Sequence, residues 1–123
     1  MEQVGPKNIT ISKRADEICQ ILKDQGYFAT YIDAYKVAVV VALANKIEVD
    51  RNIKFEINKW DTAAVFFDRE KNLESILLLN GYDRKDLVTE GKLLAEAGLK
   101  FLEEKRNSNI DLLPILIGKQ NSN

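Results

Sequence analysis

The run from Val37 to Ala44 reads Val-Ala-Val-Val-Val-Ala-Leu-Ala, with no polar residue on any face. A surface helix keeps a polar side toward water, whereas a helix that is apolar all round has to be enclosed on every side. The run belongs to a helix over about 31–46. Thr30 stands at its N-cap position and Asp33 three residues later, close to a capping box with Asp in place of Glu. The chain therefore has to build around this helix. Eight apolar residues fall well short of the roughly 20 that span a bilayer, so the run predicts a core helix. In a chain of 123 residues, a second copy is a natural source of cover, which makes Val37, Val40 and Val41 candidate subunit contacts.

The remaining elements arrange themselves on either side. Asn8 to Ser12 alternates Ile9 and Ile11 with Asn8, Thr10 and Ser12, the pattern of a short half-buried strand. Ser12 can then cap a helix over about 13–24, striped by Ala15, Ile18, Cys19 and Leu22 and stopped by Gly26. Arg51 to Asn58 alternates again and predicts a second strand. Trp60 to Phe67 fits strand and helix equally. Asp68 can cap a helix over about 69–79, with Gly81 beyond its end. The last helix runs over about 84–106 and places Leu87, Gly91, Leu94, Ala95, Gly98 and Leu102 on one face. Each glycine there costs about 1 kcal/mol against alanine, and close approach of another helix is the usual compensation. Gly91 and Gly98 join Ile9 and Ile11 as interface candidates. The fold expected is mainly α with one or two short strands, a ribbon-helix-helix-like N-terminal half and a C-terminal helical pair. It forms one domain over 1–106 and leaves a tail over 107–123.

Composition narrows the chemistry. The chain has no histidine and one cysteine, so a Ser-His-Asp or Cys-His nucleophile lacks its base and a Cys/His zinc shell cannot close. Cys19 on an apolar stripe reads as a small core residue. Asp50, Glu56 and Lys59 are the nearest thing to a metal-nuclease triad, but the acid-to-lysine spacing of three puts Lys59 on the opposite face of a strand. Gly91-Lys92 and Gly118-Lys119 lack the rest of a P-loop. No enzyme, cofactor or metal is expected. The N-terminus shows no secretory signal, and a single cysteine fits a reducing cytoplasm.

A strand followed by two helices also opens the ribbon-helix-helix fold, in which two chains pair their strands and lay the ribbon in the major groove of double-stranded DNA. On that reading Asn8, Thr10 and Ser12 face base edges, Lys7, Lys13 and Arg14 meet phosphates, and the Thr30 helix start offers N–H groups to another. The protein would be a homodimeric DNA-binding regulator. Near-neutral charge, 18 basic against 19 acidic residues, supplies little of the phosphate neutralisation on which DNA affinity depends. Tyr27, Phe28, Tyr31 and Tyr35 are expected to pack the turn before the central helix rather than stack on bases. In the tail, Leu112, Leu113, Ile115, Leu116 and Ile117 form an apolar segment around Pro114. It either folds back on the core or docks on a partner protein.

The stretch from Gly26 through Tyr-Phe-Ala-Thr-Tyr-Ile-Asp-Ala-Tyr-Lys-Val-Ala to Leu43, taken with Ala95-Glu-Ala-Gly-Leu-Lys-Phe-Leu102, resembles small accessory proteins encoded beside bacterial DNA-phosphorothioation (Dnd) clusters. More loosely it is similar to DndE, the small helical subunit of the modification complex. The resemblance covers about 9–102 and brings no catalytic residues. It implies a non-enzymatic accessory subunit of a DNA-modification or anti-phage defence complex, partnered by a larger protein of that complex.

Overall fold

The computed structural model describes residues 8–68, 72–108 and 112. It is mainly helical with one two-stranded antiparallel sheet. Strand β1 (Asn8–Ile11) leads into α1 (Lys13–Asp24) and α2 (Tyr31–Ala44). Strand β2 (Ile57–Asp61) and the short helix α3 (Thr62–Phe66) follow, then α4 (Asn72–Leu79). A single 3-10 turn at Arg84–Asp86 opens α5 (Leu87–Asn107).

The central helix lies in the core but is not enclosed on every side as expected, since Val40 and Ala44 are exposed. Ala34, Tyr35, Ala38, Val39, Val41 and Ala42 of α2 are buried, and α5 packs most extensively against it. The glycines of α5 make that packing possible. A Cβ on Gly98 would run into the backbone of Ala38, 2.6 Å from its carbonyl carbon, and one on Gly91 would meet the ring of Phe66, 2.7 Å from Cζ. Both close approaches lie within one chain. Ile9 and Ile11 are wholly buried and Val41 nearly so, while Val37 is half-buried and Val40 is 38% exposed. Most of the cover expected from a second subunit is therefore supplied within the chain, by α5 with α1 and α4. Of the seven interface candidates only Val37 and Val40 reach the surface.

Three helices end alike. After α1, Gly26 N–H bonds Lys23 C=O and Tyr27 N–H bonds Leu22 C=O; after α4, Gly81 and Tyr82 repeat this with Leu78 and Leu77. These are Schellman turns, whose left-handed residue is most easily glycine, and Gly26 and Gly81 have φ of 84° and 92°. After α2 the same bonds run from Lys46 to Leu43 and from Ile47 to Ala42. There the left-handed position is held by Lys46, with φ of 52°.

The sheet departs from expectation in two ways. β2 begins at Ile57, not Arg51, because β1 has only four residues to pair and its ladder closes at Ile11–Ile57, next to the Glu56 N–H to Ile11 C=O bond of 3.0 Å. Ile53 and Phe55 keep their alternate half-burial without a ladder. The ambiguous Trp60–Phe67 stretch is both things in turn: Asp61 ends the strand and Thr62 starts α3. The strand-helix-helix order is present, but β1 finds its antiparallel partner within the chain, where a ribbon-helix-helix strand pairs with a second copy. A register shift between Ile9 and Thr10 leaves Lys59 as the extra residue of β2, and its ammonium reaches Asp16 at 2.7 Å. Lys59 thus serves a helix of the core, away from the triad role that its spacing already argued against.

The aromatic turn packs as expected. Tyr35 is fully buried and its ring tilts against Trp60 at 5.0 Å, while Tyr27, Phe28 and Tyr31 lie against the core edge. Cys19 is buried, and burial, with the charge of Asp16 adding to it, pushes its thiol up to about 12. No helix among the described residues is long and apolar enough to cross a membrane.

Candidate functional site

Two of the three polar residues read for the strand, Thr10 and Ser12, turn toward α5. Thr10 Oγ1 accepts a hydrogen bond from Lys92 Nζ at 2.8 Å. Ser12 donates twice to Glu96, from its backbone N–H at 3.0 Å and its hydroxyl at 2.6 Å. Two residues of strand advance about 6.6 Å and four residues of helix about 6 Å, so positions 10 and 12 fall in step with 92 and 96 on α5. The same Ser12 hydroxyl accepts from Ala15 N–H at 2.9 Å, capping α1. One serine thus joins strand, helix start and the long helix.

This changes the standing of the DNA-contact candidates. Thr10 and Ser12 are half-buried and engaged with α5. Arg14 is paired with Glu103 and, at 2.7 Å, with Glu17. Thr30 caps α2 by accepting from Asp33 N–H at 3.1 Å. Asn8 and Lys13 are exposed. Lys7 lies outside the described residues, as do Leu113, Ile115, Leu116 and Ile117 of the tail. Leu112 is described and is wholly buried in the core cluster. It acts as a core side chain, so of the two readings of the tail Leu112 follows folding back and is not free to dock.

What the structure does open to the surface is a groove of about 610 Å³ beside this junction. One wall is the start of α1, from Ser12 to Ala15 with Ile18. The second is the middle of α5, from Glu96 and Ala97 to Glu104. The third is the loop between α2 and β2, which contributes Ile47, Asp50, Ile53 and Glu56 among others. The Lys46 turn sets the direction in which this loop leaves α2, so Ile47 enters the groove directly after it. Farther along, Arg51 grips Glu90 of α5 with two bonds of 2.9 and 3.0 Å and holds the loop over the helix. Asp50 accepts from Asn52 N–H at 2.9 Å and shapes the turn between them.

The groove is apolar inside and charged at its edge. Ile47, Ile53, Ala97 and Phe101 are half-buried, and Phe101 carries Lys105 over its ring at 5.1 Å. Two carboxylates are built into the wall, Glu96 at 6% exposure and Glu103 at 8%. Burial holds the Glu96 carboxyl above its ordinary range; the two Ser12 bonds and the charge of Lys92 pull it part of the way back. Burial in turn lowers Lys92, with Glu96 opposing. Because both Glu96 oxygens accept from Ser12, this carboxylate positions the strand-helix junction. The described residues contain no group of three His, Cys, Asp or Glu side chains placed to hold a metal ion.

Glu96 and Glu103 are the residues that sequence reasoning missed. They lie seven apart on a helix otherwise read for its apolar face, and two acids adjoining a leucine stripe at that spacing are the signal that was available. The groove loop gave less warning, since Ile47, Ile53 and Phe101 are brought together only by tertiary packing. Comparison with family models, curated proteins and solved structures returns no match.

Proposed function

We propose that this chain is a non-catalytic binding subunit that receives a segment of another protein in the groove between α1, α5 and the α2–β2 loop. The observation that carries this reading is the groove itself: half-buried Ile47, Ile53 and Phe101 open to the surface, framed by charged side chains. Concave apolar surface with a few placed polar groups is the usual form of a binding site. The setting we propose, a cytoplasmic DNA-modification or anti-phage defence complex, comes from the sequence resemblance alone. Direct DNA binding through the strand is the weaker reading, because Thr10 and Ser12 face α5 and Arg14 is neutralised by Glu17 and Glu103.

Affinity purification of the tagged chain from its host, with mass spectrometry of what it retains, tests the proposal. Ala97→Trp, which fills the groove from the α5 wall, is run beside the wild type. A partner retained by the wild type and lost by Ala97→Trp is the expected outcome. Identical partners in both preparations would remove the groove from the function. Tight, steeply salt-dependent binding of DNA by the chain alone would favour the regulator instead.

A further inference from the structure

We infer that the segment this groove receives is basic: a short stretch of partner protein in which Lys or Arg alternates with large apolar residues. The inference rests on the groove being the working surface, as proposed above. Its lining holds six carboxylates, Glu48, Asp50, Glu56, Glu96, Glu103 and Glu104, against four cations, Lys13, Arg14, Lys54 and Lys100. Arg14 and Glu103 are spent on each other, which takes one charge from each side and leaves five acids against three lysines. The chain as a whole is close to neutral at −1, which makes the acidity a local property of this surface.

Position matters as much as number. Glu48 and Asp50 belong to the loop wall and Glu104 to the α5 wall, and all three are exposed. A cation entering the groove is met from both sides. The described acids are not gathered closely enough to hold a metal ion; spread along a rim, they suit several charges spaced along a chain. Between them the apolar interior accepts Leu, Ile or Phe side chains. The excess of acids over lysines disfavours a nucleic-acid backbone, and the apolar interior suits a protein segment.

Fluorescence anisotropy with the full chain tests this. Three labelled peptides of about 12 residues are compared, alternating Leu with Lys, with Glu or with Ser. The second protein is Glu48→Lys/Glu104→Lys, two exposed changes whose folding is checked by circular dichroism. The Leu/Lys peptide is expected to bind the wild type about tenfold more tightly than the others. The double variant should lose about tenfold for it and gain for the Leu/Glu peptide, and added salt should weaken it. Equal or tighter binding of the Leu/Ser or Leu/Glu peptide overturns the inference, as does Leu/Lys binding that the double variant leaves unchanged, or no binding by any peptide. If these failures occur while Ala97→Trp still abolishes partner capture, the groove stands and only its chemistry is wrong. If Ala97→Trp captures normally, the groove itself is wrong.

Discussion

Gly98 and Gly91 look alike in the sequence, yet they meet different neighbours. Gly98 lies against the backbone of Ala38, which cannot move without shifting α2; Gly91 lies against the edge of the Phe66 ring, a side chain that can turn. Gly98→Ala is therefore expected to destabilise by about 3 kcal/mol or more, and Gly91→Ala by about 1–2 kcal/mol, each against the helix preference for alanine. Chemical denaturation measures both, and the reverse order would contradict the packing. Tyr35 gives a prediction of opposite sign. Its hydroxyl is buried with no hydrogen-bond partner among the described residues, so Tyr35→Phe should stabilise by about 1 kcal/mol. A loss of that size would mean that the hydroxyl has a partner. Glu96 sets a pH dependence. Its carboxyl is raised by burial, so the folded chain holds the proton more tightly than the unfolded one. That contribution is complete below the ordinary glutamate value of about 4.3 and is lost as pH rises through the folded value. The stability of the wild type relative to Glu96→Gln should accordingly fall as pH rises above ~4. A relative gain over the same range would show that Glu96 is held mainly as a charge.

Among the elements, those that the sequence specified best are those fixed by local rules. The Ser12 and Thr30 caps and the Gly26 and Gly81 stops all depend on residues within one or two turns. The second strand was misplaced because alternation at 51–58 reports one-sided burial, whereas pairing depends on where the four residues of β1 come to lie. The end of α2 was read only approximately, since Lys46 gives no sign of a left-handed residue. An L-residue there costs roughly 1–2 kcal/mol, part of which glycine returns through a freer unfolded chain. Lys46→Gly is expected to raise stability by about 1 kcal/mol, read from the denaturation midpoint, with the groove loop unchanged. Destabilisation would mean that the lysine side chain contributes something its exposed position does not suggest.

For the molecule as a whole, the opening feature set the architecture and misdirected the interface. An all-apolar helix was correctly placed at the centre, but its cover was sought in a second copy when α5, with Gly98, provides most of it in the same chain. The candidate site was less legible than the fold. Ile47 and Ile53 come from one loop, Phe101 from α5 and Ile18 from α1, so no single stretch carries their pattern. Of the polar residues legible as a row, Thr10 and Ser12 fasten the strand and the start of α1 to α5 through Lys92 and Glu96. What remains at the surface is an acidic-rimmed apolar groove, and the function proposed depends on a protein segment lying in it. Site-specific photo-crosslinking in the host tests this most directly, with the crosslinking amino acid placed at Lys100 on the groove wall or at exposed Ser75 on α4, outside the groove. Lys100 should yield one discrete protein adduct through a Lys- or Arg-rich segment, and Ser75 should not. The same adduct from both positions, or none from Lys100, would contradict the groove as the place where this protein works.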